Sequence, residues 1–212
     1  MAKKIIIIGA GGHCRTVISI LRYYKDFKIS AIADRDDSTL GEKIDGVTIE
    51  YSWKDIAKIY KNGIHYAAIA IGDNRERENL FKALSEKGFT VPTLVHPSAL
   101  IEKNAVVGEG SVVCMGAKIG PDVRIGENCI IYTGTILDHE AHVGKHVFIA
   151  PGCAIAGRVK IGDGSFIGIG SNVKEKVSIG KDVTIGAGSV VLEDIPDGEK
   201  VGGVPAKRLR GV

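Results

Sequence analysis

The chain has 212 residues, which is enough for one large domain or two modest ones. Charged residues make up 25% of it and hydrophobic residues 44%, as in an ordinary soluble globular protein. The net charge of +3 permits small anionic ligands but does not indicate a nucleic-acid partner. The longest apolar run near the start, residues 5–8, is too short to cross a bilayer, and no signal peptide is evident, so we expect a cytoplasmic protein without a membrane partner.

The first part of the chain alternates strand-like and helix-like patterns. Short apolar strands are predicted at residues 4–8, 28–33, 66–71 and 90–95. One helix is predicted after the first strand, with Val17, Ile18 and Leu21 in its apolar pattern, and another at residues 75–87. Because strands that alternate with helices indicate a parallel sheet, we predict an α/β, Rossmann-like domain over residues 1–95.

Ligand contacts are expected where these strands end, since crevices in open parallel sheets lie beyond the carboxyl ends of the strands. The glycine-rich turn at residues 9–12 lets backbone N–H groups approach a phosphate, and Asp34 has a spacing suited to a ribose contact. Cys14 replaces the third glycine of a dinucleotide motif, so we predict a mononucleotide or nucleotide-sugar site; a purely structural turn is the alternative. The candidate contacts are Gly9, Gly11, Gly12, His13, Asp34, Arg35, Gly72 and Asn74.

A different repeat begins near residue 99. Sixteen aliphatic residues recur at an interval of six from Ile101 to Val191, without an insertion, and Gly follows directly in eight of these hexads. This period is typical of a hexapeptide parallel β-helix, in which three hexads form one triangular coil of 18 residues. We therefore predict a β-helix with a C-terminal cap over residues 96–212. The cysteines form no C-x-x-C pair, and we expect reduced packing thiols.

One predicted corner carries a base beside an acid, His139 followed by Glu140. An imidazole can be neutral near pH 7 and accept a proton from an amine or a hydroxyl, and a neighbouring carboxylate can hold its tautomer. Gly157 lies 18 residues later, so it stacks one coil away, roughly 5 Å off, with a bare N–H suited to an oxyanion. The arrangement indicates acyl transfer, and a solvated corner histidine is the alternative.

These features resemble a family of bacterial sugar acetyltransferases, which comprises nucleotide-linked 4-amino-sugar N-acetyltransferases and sialic-acid O-acetyltransferases. The resemblance spans nearly the whole chain. It rests on the hexads and on the motifs Gly9-Ala10-Gly11-Gly12-His13, His96-Pro97-Ser98-Ala99, Asp138-His139-Glu140, Ala150-Pro151-Gly152 and Gly203-Val204-Pro205-Ala206-Lys207.

The resemblance implies a left-handed β-helix that assembles as a homotrimer, with acetyl-CoA bound between neighbouring prisms and no metal. It implies that His139 is the general base, that Glu140 orients it, and that the Gly157 amide is the oxyanion donor. The front domain would hold the nucleotide of the sugar, whose C4 amine attacks acetyl-CoA directly. Acetylation of a sialic-acid hydroxyl is the alternative.

Two positions depart from the family's pattern, and the tail adds a further feature. Tyr132 stands where the family often has Asn, and Phe148 stands where a second His is common. The tail is basic, and Lys207 and Arg208 are candidate contacts for the phosphates of CoA. A basic cap over the open end of the β-helix is the alternative for the residues Lys200, Lys207, Arg208 and Arg210.

Three other functions remain open on the sequence. A trimeric zinc enzyme would use His139, His142 and His146, although their different hexad positions point them in different directions. A structural solenoid with a nucleotide-sensing domain would have no activity. A nucleotidyltransferase would need a front domain more than twice as long.

Overall fold

The computed structural model describes residues 2–209 and divides into two compact units, Met1–Leu94 and Val95–Val212. Each unit has an apolar core of its own. None of the helices within residues 2–209 combines the length and the apolar composition that crossing a membrane requires.

The first unit is an α/β domain. Its elements in chain order are β1 (Lys3–Ile8), α1 (Gly12–Leu21), β2 (Phe27–Asp34), β3 (Lys43–Ile44), β4 (Val47–Ser52), α2 (Ile56–Lys61), β5 (Tyr66–Ile69) and α3 (Asn74–Glu86). The sheet has the order β3-β4-β2-β1-β5, in which only the β3–β4 pair is antiparallel. Strand β1 is paired on both sides, and its residues Ile5 to Ile8 are completely buried, as in a parallel sheet covered on both faces.

The predicted α/β class is confirmed, but the strand predicted at residues 90–95 is wrong. Thr90 makes only an isolated bridge to Tyr66, and the strand Leu94–Val95 belongs to the first coil of the β-helix. Pro92 explains the interruption, because proline has no N–H to donate to a strand ladder.

The hairpin of β3 and β4 was not predicted, although the sequence carries its signal. Asp45 and Gly46 link the two strands, and both have positive φ angles, 46° and 83°. An Asp-Gly pair with this geometry is the favoured two-residue hairpin turn, because its twist matches that of the flanking strands.

The second unit is a three-sided parallel β-helix. The first face contains Leu100–Ile101, Lys118–Ile119, Ile136–Leu137, Ala154–Ile155, Asn172–Val173 and Val190–Val191. The second face contains Val106–Val107, Arg124–Ile125, His142–Val143, Lys160–Ile161 and Ser178–Ile179. The third face runs through Leu94–Val95, Val112–Val113, Ile130–Ile131, Phe148–Ile149, Phe166–Ile167, Thr184–Ile185 and Lys200–Gly202, and ends with the antiparallel strand Lys207–Arg208.

Each coil stacks on the next at a spacing of 18 residues, as the pairs Ile136↔Ala154 and His142↔Lys160 illustrate. The second residue of each pair of strand residues points into the core; Leu137, Ile155 and Val173 are at most 3% exposed. This register confirms the hexapeptide-repeat β-helix and fixes which corner residues are neighbours.

Candidate active site

His139 lies at the corner between the first and second faces, in the turn that joins Ile136–Leu137 to His142–Val143. Its backbone N–H donates to Asp138 Oδ1 at 2.7 Å, which fixes the turn. Its ring Nδ1 lies 3.1 Å from Glu140 Oε2. The His139 side chain is 46% exposed, so an acceptor substrate can reach it from solvent.

Glu140 is held as a carboxylate by a cation from the next coil. Arg158 Nε donates to Glu140 Oε2 at 2.6 Å. This bond, followed by the bond from His139, lowers the pKa of the Glu140 carboxyl. An ionised carboxylate can only accept, so Nδ1 of His139 carries the proton and Nε2 keeps its lone pair. The corner therefore presents Nε2 as a base.

Gly157 lies directly against this base. A Cβ at position 157 would overlap the imidazole, with Cε1 only 2.6 Å away and Nε2 nearest of all. Within residues 2–209, no hydrogen bond occupies the Gly157 N–H. The base and an available amide therefore share one corner, as their spacing in the sequence predicts.

The other two histidines of the β-helix are engaged elsewhere. His142 Nδ1 donates to the carbonyl oxygen of Glu140 at 2.9 Å. His146 is buried, and its Nδ1 lies 2.8 Å from Asn128 Nδ2. Among residues 2–209, no group of three or more His, Cys, Asp or Glu side chains is placed to hold a metal ion. The three histidines of the zinc alternative thus do not converge within one chain.

In the first unit, the loops at the carboxyl ends of three strands come together. Gly9 follows β1 with φ +110°, and a Cβ there would lie 2.9 Å from the Ala70 carbonyl oxygen, just beyond β5. The next amide, Ala10 N–H, donates to Asp34 Oδ1 at the end of β2. Only glycine fits position 9, because both its φ and its space exclude a side chain.

The start of α1 is open, whereas His13 is not. No atom lies within 4 Å of the position that a Cβ would take at Gly11 or Gly12. The N-terminal amides of α1 are therefore accessible to an anion. The His13 side chain instead points inward, where burial and then the charge of Arg77 lower the pKa of the imidazole to about 4. His13 is thus a neutral, buried residue beneath the loop.

Arg77 fixes the loop that follows β5, and it was not predicted from the sequence. Its guanidinium donates to the Gly72 carbonyl oxygen at 3.0 Å and to Asn74 Oδ1 at 2.7 Å. A signal was present, because Arg77 occupies the same helix face as the buried Leu80 and Leu84. Arg35 lies nearby through an ion pair with Glu76 in the first turn of α3.

The C-terminal end of the β-helix contains a cavity of about 480 Å³ lined in part by Leu192, Lys207 and Arg208. Arg208 also pairs with Glu199, at 2.8 Å. A second cavity of about 410 Å³ extends along the first face from Asp138 to Leu192. Leu192 lines both cavities, so together they lead from the catalytic corner to the basic end. Arg210 lies outside the described residues.

The two departures from the family's pattern form one aromatic stack on the third face. The rings of Tyr132 and Phe148 are 5.7 Å apart and stacked, and Phe166 continues the row 5.3 Å from Phe148. These rings occupy outward positions of successive coils, so they extend the apolar surface of that face.

Comparison with known proteins places this geometry in the class of hexapeptide-repeat transferases. Residues 4–84 match the PglD N-terminal domain, and residues 104–139, 140–168 and 158–193 match the bacterial transferase hexapeptide (six repeats). UDP-N-acetylbacillosamine N-acetyltransferase of Bacillus subtilis is 31% identical over 112 residues, which cover 52% of this chain and 51% of that relative. The match thus spans about half the length of the curated relative.

Solved structures extend the similarity over both units. PerB from Caulobacter crescentus, in complex with CoA and GDP-perosamine, is 35% identical with a TM-score of 0.92, covering 99% of this chain and 98% of that one. The acetyltransferase domain of PglB from Neisseria gonorrhoeae, in complex with acetyl coenzyme A, is 32% identical with a TM-score of 0.90, covering 99% and 100%. The chain belongs to this family of bacterial sugar N-acetyltransferases, which confirms the predicted family, fold class and enzyme class.

Proposed function

We propose that the protein transfers the acetyl group of acetyl-CoA to the C4 amine of a nucleotide-linked dideoxy amino sugar. The observation that carries this proposal is the contact between the imidazole of His139 and Gly157, with Nε2 free to accept a proton and an amide available beside it. Relatives solved with CoA and with GDP-perosamine support the same substrate classes.

His139 is the general base in this proposal. The amine nitrogen forms a bond to the thioester carbonyl carbon, the C–S bond breaks, and the amine proton passes to Nε2 and then to the leaving sulfur. Glu140 stabilises the imidazolium while it exists, because the carboxylate lies 3.1 Å from Nδ1. The Gly157 amide is the oxyanion donor, placed where negative charge develops on the carbonyl oxygen.

Acetyl-CoA fits the path that the two cavities of the β-helix form. The cavity beside Asp138 is lined by small and apolar side chains, including Ala154 and Ala156, and suits an extended thioester arm. The cavity at the other end offers Lys207 and Arg208 for phosphates. Supporting evidence for a homotrimer comes from the exposed apolar side chains of Leu100, Ile136 and Leu192 along the first face, which a neighbouring prism would cover.

The nucleotide of the sugar binds in the first unit in this proposal. The accessible N-terminus of α1 receives the diphosphate, and Asp34 receives the ribose hydroxyls. Arg35, Gly72 and Asn74 border the same strand ends. A dedicated nucleotide site favours N-transfer to a nucleotide-linked sugar over O-transfer to a free sialic acid, which is the second candidate.

A substrate panel tests the proposal. The full-length protein is incubated with acetyl-CoA and with UDP-, GDP- or dTDP-linked 4-amino sugars, and products are identified by mass. We expect one nucleotide sugar to gain a single acetyl group. Acetylation of sialic acid but of none of these amines would replace the proposal with the O-transfer alternative, and the assembly state is measured on the same sample.

A further inference from the structure

Arg158 reaches the catalytic corner from the neighbouring coil. It lies 18 residues after Glu140, and both residues adopt the left-handed conformation, with φ angles of 63° and 58°. Arg158 Nε donates to Oε2 of Glu140, the same oxygen that lies beside Nδ1 of His139. A guanidinium, a carboxylate and an imidazole therefore form one continuous row across two coils.

A second contact ties Arg158 to the base through the backbone. The Arg158 N–H donates to the carbonyl oxygen of His139 at 2.9 Å. Because Gly157 directly precedes Arg158, one dipeptide supplies both the amide beside the imidazole and the cation that holds its carboxylate partner. The geometry of the base and that of the amide are thus set together.

We infer that Arg158 is a positioning residue, which holds the carboxylate of Glu140 so that the proton of neutral His139 stays on Nδ1 and Nε2 remains free. The catalytic consequence rests on the proposed function, whereas the effect on the imidazole does not. Glu140 is 46% exposed and has several rotatable bonds, so without a partner its carboxylate would spend part of its time in solvent. Arg158 also keeps that carboxyl ionised, because their bond lowers its pKa.

This role differs from a contribution to stability. An exposed ion pair adds little to folding, since both partners are well solvated and lose side-chain entropy when they pair. We therefore expect the loss of Arg158 to change the tautomer of His139 far more than it changes the melting temperature. Lysine at this position would retain a charge but not the planar geometry of the guanidinium.

The test compares Arg158→Gln and Arg158→Lys with Lys145→Gln in the full-length protein. Lys145 makes a matched ion pair, also across 18 residues, with Glu127 at a different corner. Histidine ¹⁵N chemical shifts, assigned with His139→Ala and recorded where the ring is neutral, report which nitrogen carries the proton. We expect the Nδ1–H signature in the unmodified protein and in Lys145→Gln, its loss in Arg158→Gln, and partial recovery in Arg158→Lys.

Kinetics provide the second readout. Arg158→Gln is expected to lower kcat about tenfold with little change in either KM, because a misplaced proton disables the base without affecting binding. An unmodified protein whose His139 carries its proton on Nε2, or an Arg158→Gln variant that keeps the Nδ1–H signature, would overturn the inference. Failure to acetylate any sugar would overturn the proposed function instead, and the NMR comparison would still decide the role of Arg158.

Discussion

The two units bring their site residues together in different ways. In the β-helix, His139 and Gly157 meet because each coil has the same length, and every strand pair repeats the spacing of 18 residues. In the first unit, Gly9, Asp34 and Gly72 meet because separate parallel strands end at one edge of a sheet. A repeat thus sets distances by counting, whereas an open sheet sets them through the loops that follow its strands.

This difference divides the proposed work of the protein. The base and the oxyanion donor lie on backbone that the stacked coils hold in register, which suits groups that need accurate placement. The nucleotide contacts lie on loops, where glycines at positions 9, 11 and 12 leave room for a ligand. Changes in the β-helix should therefore reduce kcat, and changes in the first unit should raise the KM for the sugar nucleotide.

The largest expected effect is that of His139→Ala. Removal of the base should lower kcat by about 10²-fold or more, because general-base catalysis typically contributes that amount, while acetyl-CoA still binds. His142→Ala is the matched control on the same hexad and should retain activity. Equal losses in both variants, measured with saturating substrates, would favour the zinc alternative over the proposed base.

Gly157→Ala tests the contact between the amide and the base. Its φ is compatible with alanine, so the added Cβ acts only through its overlap with the imidazole. Displacement of His139 from the oxyanion donor should lower kcat about 10²-fold. Gly186→Ala is the control, because its Cβ would find no atom nearer than 3.5 Å. A Gly157→Ala variant with unchanged kcat would contradict the proposed geometry.

Acid should weaken the first unit through His13. The pKa of this imidazole is about 4 in the folded protein, against an ordinary value of 6.5, because of burial and the charge of Arg77. As pH falls from about 6.5 to about 4, the unfolded chain binds a proton that the folded chain refuses, so stability falls by about 3 kcal/mol in total.

Trp53 allows this change to be measured in the full chain. It is the single tryptophan, it lies in the first unit, and its Nε1 donates to the Ala33 carbonyl oxygen. Urea unfolding followed by Trp53 fluorescence should show a falling midpoint over this pH range. The decline should be smaller in His13→Gln, and an equal decline in that variant would assign the acid sensitivity to other groups.

The smallest expected effect is that of Asp34→Ala. Loss of the carboxylate should raise the KM for the sugar nucleotide roughly tenfold, the scale of a lost hydrogen bond to a charged group, and leave the KM for acetyl-CoA unchanged. Asp26→Ala removes an exposed carboxylate shortly before the start of β2 and serves as the control. Parallel losses for both substrates would argue against a separate nucleotide site.

The sequence predicts the β-helix better than the first unit for a physical reason. One period fixed the strands, the inward positions and the neighbours of His139, yet Arg158 was missed although the same count leads to it from Glu140. In the first unit, burial of His13 and Arg77 depends on packing between elements distant in sequence. Local pattern could not place those side chains, although the Asp45-Gly46 turn was readable.

The glycines that follow the second-face strands have a further consequence. A Cβ at Gly126 or Gly162 would collide with the backbone of the next coil, so the rise from coil to coil cannot be adjusted. Three such rises, roughly 14 Å, separate Leu137 from Val191 near the basic cavity. The solenoid therefore measures length in whole steps. A variant that gained or lost one complete coil would keep its hydrogen bonds, but it would require a donor with a longer or shorter arm.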